Sequence, residues 1–85
     1  MFRSRLIRFI EDNLQGSAGG AIAPDESLID RGLIDSIGLM RIMQFVETQT
    51  GVRIPDHYVT PDNFQSVVAI EEMVEQIRGV AGGAG

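Results

Sequence analysis

Apolar positions along the chain recur at intervals of three and four residues, and no stretch of useful length alternates like a strand. The first periodic stretch places Phe2, Leu6, Phe9, Ile10 and Leu14 on one face, with Ile7 beside them, and predicts a helix over 2–14. Gln15-Gly16-Ser17-Ala18-Gly19-Gly20 then ends the helix and opens a flexible loop that runs to about Asp35. Loops of that length are uncommon in compact domains and often functional. Leu28, Ile29, Leu33 and Ile34 within it need burial, so the loop is expected to lie across the helices as a packed segment. A second helix is predicted over 36–50, because Asp35 and Ser36 are N-cap types and Gly51 suits the residue after a helix end. Thr60-Pro61 reads as a cap followed by Pro at the first helical position, which predicts a single turn over Asp62–Phe64. Ser66 is expected to cap a last helix over Val67–Arg78, with Val67, Ile70, Val74 and Ile77 on its apolar face, Met73 alongside and Gly79 as its stop. The expected fold is all-α, a small four-helix bundle with a long first loop and a short third helix. It occupies residues 1–78, and the Gly- and Ala-rich stretch 79–85 is expected to be a disordered tail.

Composition narrows the chemistry. The 85 residues make one small domain with a modest core. Cysteine is absent, which excludes disulfides, thiolate zinc sites and a cysteine nucleophile. A single histidine excludes a multi-histidine metal site, and no metal site is expected. The net charge of −5, with every base an Arg, disfavours nucleic acid and anionic membrane as partners. No apolar run approaches the roughly 20 residues that span a bilayer. Arg8, Glu11 and Asp12 interrupt what would have to be a signal core, so the protein reads as cytoplasmic.

The distribution of charge adds two points. Arg3, Arg5 and Arg8 begin the first helix and Glu11 and Asp12 end it, against the helix dipole. Each such charge is unfavourable by about 0.3–1 kcal/mol when exposed. Either a partner contact or plain tolerance at a solvated terminus explains the arrangement. The second helix is nearly uncharged and unusually apolar. A core stripe of Leu39, Ile42, Met43 and Val46 leaves Ile37, Met40 or Phe45 at least partly exposed. That surplus predicts either a docking surface or a core that wraps further round the helix under a covering loop.

Few residues are equipped for catalysis. His57 stands in a loop with no nucleophile near it in sequence, and the adjacent acids Glu71-Glu72 and Asp25-Glu26 do not face each other on a helix. Lys is absent, so no phosphate-binding loop can end in one. The glycines Gly32 and Gly38 flank Ser36 without the spacing of a nucleophile elbow. The chain is not expected to be an enzyme. Ser36 remains, at the start of a helix behind a long loop. It is either a simple cap or a hydroxyl that accepts a phosphate ester, which the free amides and positive dipole end of a helix N-terminus would favour.

The context of Ser36 is specific. Ser27-Leu28-Ile29-Asp30-Arg31-Gly32-Leu33-Ile34-Asp35-Ser36-Ile37, followed by Gly51-Val52-Arg53-Ile54-Pro55, closely resembles the acyl carrier protein family and its peptidyl-carrier relatives over roughly residues 2–78. The resemblance implies that Ser36 is the attachment point of 4′-phosphopantetheine, installed from coenzyme A by a separate phosphopantetheinyl transferase that uses magnesium. The arm's thiol would hold an acyl or aminoacyl group as a thioester and shuttle it between partner enzymes. Asp35 would help present Ser36, Ile37 would be the apolar contact after it, and Met40, Arg41 and Gln44 would lie on the exposed side of the recognition helix. The implied partners are the transferase, an acyl- or aminoacyl-loading ligase or acyltransferase, and a downstream synthase, with the carrier itself a monomer. The second helix lacks the strong acidity of carriers in dissociated fatty-acid synthesis, with Gly38 and Arg41 at positions that are often acidic and Ile34 before Asp35. This fits stand-alone carriers of secondary metabolism, such as polyketide or nonribosomal peptide biosynthesis, or carriers loaded by an adenylating ligase. The alternative reading is a small helical interaction module without a prosthetic group, whose apolar second helix binds a partner.

Overall fold

A computed structural model describes residues 2–14 and 20–84. Its elements in chain order are helix α1 (Phe2–Asn13), helix α2 (Ser36–Thr50), two single 3₁₀ turns (Asp56–Tyr58 and Asp62–Phe64) and helix α3 (Val67–Ala84). The all-helical expectation holds, and the segment between α2 and α3 forms no α-helix. It holds two separate 3₁₀ turns of three residues each, one after Pro55 and one after Pro61, because the two prolines pin extended or turn backbone there. The turn over Asp62–Phe64 coincides with the predicted one. The Gln15–Gly19 part of the expected flexible stretch lies outside the described residues.

Helix ends follow local chemistry where the backbone conformation allows it. Asp35 caps α2, its Oδ1 accepting the Gly38 N–H at 2.6 Å. Gly51 ends α2 in the left-handed region at φ 70°, its N–H donating to the Glu47 carbonyl. Ser66 Oγ accepts the Ala69 N–H at 3.0 Å and so caps α3. The expected stop at Gly79 is corrected: α3 runs on to Ala84. Among the described residues only Gly32 and Gly51 have positive φ. A glycine with helical backbone costs about 0.5–1 kcal/mol relative to Ala but does not terminate a helix. The Gly- and Ala-rich stretch falls within the bounds of α3 as far as Ala84, and Gly85 lies outside the described residues.

The core draws on all three helices, the second 3₁₀ turn and the loops. Leu6 and Ile10 of α1, Ile42 and Val46 of α2 and Val67, Ile70, Met73, Val74 and Ile77 of α3 are buried around Phe64, Ile54, Leu28 and Ile22. Each such side chain contributes about 1.5–3 kcal/mol through removal from water. The expected α3 face is buried in full. Of the expected α2 stripe, Ile42 and Val46 are fully buried and Leu39 and Met43 are half-buried against the cluster.

The long loop is packed, as its apolar content demanded. The Leu28 N–H donates to the Gln65 carbonyl at 2.7 Å, and the Val68 N–H to the Pro24 carbonyl at 3.0 Å, so the loop crosses the start of α3. Ile22 is also held, its N–H donating to Glu11 Oε2 at 2.8 Å. One expectation fails: Ile29 is 41% exposed, because Leu28 takes the inward position beside it.

The arginines of α1 have partners within the chain. Arg3 pairs with Glu71 of α3 at 2.8 Å, and Arg5 donates to Gln49 of α2 at 3.2 Å. The Arg3 guanidinium is held above its ordinary pKa by the hydrogen bond and charge of Glu71. These links tie the start of α1 to both other helices, which offsets an unfavourable placement on the dipole. Arg8 meets Asp12 only at 3.9 Å in a fully solvated pair, a geometry that contributes little.

Candidate functional site

Ser36 is exposed at the first position of α2, directly after the Asp35 cap, which is itself exposed. Ile37, Met40, Arg41 and Gln44 follow at helical intervals of three, one and three residues, which sets them on one face of α2. All four are exposed, Ile37 at 67% and Met40 at 61%. The apolar surplus of α2 is thus divided. Phe45 tucks against α1, stacked on Phe9 with ring centroids 4.4 Å apart and planes 22° apart. Ile37 and Met40 are left in solvent beside Ser36.

Two of the grooves along α2 are lined by residues next to Ser36 or on the exposed row. Arg41, Gln44, Phe45 and Thr48 line one with Phe9 and Asn13 of α1, about 350 Å³ in volume. Ile34 and Leu39, which bracket Ser36 in the chain, line a second and mostly apolar groove of about 210 Å³ with Ile29, Val59, Pro61 and Phe64.

The helix N-terminus is less open to an anion than its position suggests. The Gly38 N–H is already taken by the Asp35 carboxylate, and the Leu39 N–H by the Asp35 carbonyl at 2.8 Å. Asp35 thus takes one of the first-turn amides that a phosphate would otherwise share. An exposed hydroxyl one residue beyond that carboxylate suits attachment of a group that then projects into solvent.

Sequence reading missed what Gly38 does. Gly38 stands there only as one of two glycines flanking Ser36 and at a position that is often acidic. It is buried, and a Cβ built on it would lie 2.9 Å from the Leu33 carbonyl oxygen and 3.1 Å from Asp35 Oδ1. The available signal was a glycine placed three residues after a cap and behind a long loop.

The remaining candidates have structural surroundings or none. His57 is exposed and lies against Tyr58 at 4.6 Å between ring centroids. Glu26 is held below the usual carboxylate range, first by the Ala23 N–H and then by Arg31, 2.7 Å away. Glu71 is engaged by Arg3. Among the described residues no group of three His, Cys, Asp or Glu side chains could hold a metal ion, and no helix is long and apolar enough to cross a membrane.

Comparison with known proteins places this arrangement. No protein-family model matches the chain. Aminoacyl carrier protein 1 of Bradyrhizobium diazoefficiens is 37% identical over 73 residues, which cover 85% of this chain and 80% of that protein. Aminoacyl carrier protein 2 of the same organism is 34% identical over 73 residues, covering 85% and 81%. Among solved structures, a match at TM-score 0.67 and 32% identity is to the crystal structure of Bradyrhizobium japonicum glycine:[carrier protein] ligase complexed with glycylated carrier protein, covering 86% of this chain and 99% of that one. Another, at TM-score 0.74 and 27% identity, is to the crystal structure of an FAD-dependent dehydrogenase, covering 82% and 99%. The class so defined is the small helical carrier protein, not an enzyme, as the want of catalytic equipment implied. The chain belongs to the aminoacyl carrier protein family.

Proposed function

We propose that the chain carries an aminoacyl group as a thioester on a 4′-phosphopantetheine arm attached to Ser36, acts in the cytoplasm, and delivers that group to a synthase of secondary metabolism. The observation that carries the reading is the exposed Ser36 at the head of α2, beside a solvent-facing row of Ile37, Met40, Arg41 and Gln44. When bound, the arm supplies the thiol that the chain, without cysteine, lacks. Ser36 provides the ester oxygen. Asp35 holds the first turn of α2 shut through the Gly38 N–H, so that the hydroxyl leaves a rigid helix end. Ile37 and Met40 offer apolar contact to the transferase and the loading ligase. Arg41, for which no acidic partner is found within the described residues, offers charge to either enzyme.

The relatives support a ligase as the loading partner. One neighbouring structure is of a glycine:[carrier protein] ligase complexed with its cognate carrier protein and an analogue of glycyl adenylate, at TM-score 0.69 and 32% identity. An adenylating ligase also agrees with an α2 that carries Arg41 and Glu47 and no net charge, since docking then leans on apolar contact.

Intact mass spectrometry tests the reading. The purified chain is incubated with coenzyme A, magnesium and a broad-specificity phosphopantetheinyl transferase. One pantetheinyl phosphate adduct is expected on the wild type and none on Ser36→Ala. The pantetheinylated protein is then offered amino acids, glycine first, with ATP and a carrier-protein ligase, and is expected to gain one aminoacyl mass. An adduct that survives Ser36→Ala, or none on the wild type, overturns the proposal. The latter result would leave the chain as an interaction module.

A further inference from the structure

The packing behind Ser36 is closest at Gly38. This glycine lies in the first turn of α2 and is buried. The atom nearest to a Cβ built there, at 2.9 Å, is the Leu33 carbonyl oxygen, which belongs to the backbone and cannot turn aside as a side chain can. The Gly38 N–H meanwhile donates to Asp35 at 2.6 Å. The segment pressed onto Gly38 is anchored upstream. The Leu33 N–H donates to the Leu28 carbonyl at 3.0 Å, and Leu28 is fully buried with its own N–H on the Gln65 carbonyl. Residues 28–35 are thus clamped between the start of α3 and the first turn of α2. Room for a methyl at 38 requires residues 33–35 and the first turn of α2 to move apart, and Ser36 is the residue that joins them.

We infer that Gly38 is a positioning residue for the modification of Ser36: its missing side chain lets Leu33–Asp35 close on α2, and this closure holds Asp35 and Ser36 in the arrangement on which the transferase acts. The inference rests on the reading of Ser36 as the attachment site. In that step the bond from Ser36 Oγ to the pantetheinyl phosphorus forms. The phosphorus–oxygen bond to adenosine 3′,5′-bisphosphate breaks, and the hydroxyl proton passes through the transferase to solvent. Gly38 touches none of these atoms and acts through Asp35.

The test separates positioning from stability. The carrier is the transferase's substrate, so partial unfolding lowers the competent concentration, which raises apparent KM and leaves kcat alone. Loss of positioning lowers kcat and leaves KM, because the exposed row of Ile37, Met40, Arg41 and Gln44 is untouched. Steady-state loading is followed by intact mass for the wild type, Gly38→Ala and the control Val74→Ala, which opens a void in α3. Gly38→Ala is expected to lower kcat about 10-fold with KM unchanged, in keeping with the sensitivity of transfer steps to sub-ångström displacement. It is also expected to lower Tm, although Ala is the better helix former. Val74→Ala is expected to lower Tm and keep the wild-type kcat. A Gly38→Ala protein with wild-type kcat overturns the inference.

A second measurement needs no variant. Amide hydrogen exchange in the unmodified wild type is expected to be at least about tenfold slower at Gly38, whose N–H is bonded to Asp35, than at Ile37. Equal exchange at the two amides overturns the inference, whether or not Gly38→Ala folds. If the wild type takes no adduct at all, it is the Ser36 reading that has failed, and the inference with it.

Discussion

Leu28 and Ile29 are neighbours in one loop, both large and aliphatic, and the structure assigns them opposite fates. Leu28 is fully buried among the helices, and Ile29 is 41% exposed. Truncating each to Ala therefore measures whether the loop is docked. Leu28→Ala leaves the backbone hydrogen bond from residue 28 to the Gln65 carbonyl in place, so the change isolates the side chain. A fully buried Leu replaced by Ala costs about 2–5 kcal/mol, the transfer free energy plus the void left behind. For a domain of this size each kcal/mol moves Tm by about 4–8 °C, so a cost of about 3 kcal/mol lowers Tm by about 12–24 °C. Total stability at about 0.05–0.15 kcal/mol per residue is about 4–13 kcal/mol, so a cost of about 3 kcal/mol is between just under a quarter and about 70% of it. Ile29→Ala removes atoms that water already reaches and leaves no sealed void, so its cost is about 1 kcal/mol or less. Thermal and urea unfolding followed by circular dichroism give both numbers, and the two variants should share the wild-type m-value, since the surface exposed on unfolding hardly changes. Variants that melt within about 3 °C of each other would refute the argument, because that gap is smaller than one kcal/mol produces.

Three further expectations concern separate parts of the molecule. Met40→Glu places a charge on a residue that is 61% exposed, so it should leave Tm unchanged while raising the KM of the transferase and the loading ligase; wild-type KM would remove Met40 from the docking row. Ser66→Ala deletes the oxygen that caps α3 and should cost about 1 kcal/mol, read as a Tm lower by about 4–8 °C. Glu26 is held below its ordinary value of 4.5 by the Ala23 N–H and by Arg31, so its stabilisation is present at neutral pH and is lost as pH falls below 4.5 through the folded-state value. Glu26→Gln should accordingly melt below the wild type at pH 7, with the gap closing in acid; a gap that persists there would show that the carboxylate's charge is not what the loop uses.

The local chemistry of the sequence determined most of the helical frame. Asp35, Gly51 and Ser66 act at helix ends through bonds to residues three or four positions away, so their roles can be read from a short window. The apolar period of α3 identified its buried face for the same reason, since residues three and four apart share a side of a helix whatever lies opposite. Ser36 was likewise legible, by its place after a cap and by the motif around it.

What the sequence left open depends on contacts between distant segments. Leu28 and Ile29 carry the same hydrophobic signal, and only the crossing of the loop over α3 decides which of them faces inward. Phe45, Ile37 and Met40 formed one surplus on α2 until Phe9 of α1 took Phe45 and left the other two in solvent. Gly79 and Gly51 read alike as helix stops, but a glycine stops a helix only where the chain beyond it turns through positive φ, which Gly51 does and Gly79 does not. Gly38 carries the sharpest case. Its local signal is a small helix penalty, whereas the carbonyl of Leu33 leaves no room for any larger residue. Periodicity and capping are properties of neighbours along the chain, so sequence alone determined where the helices begin and placed Ser36 at the head of one of them. Which apolar groups are buried, and how tightly the loop closes behind that serine, are properties of packing that only the tertiary structure decided.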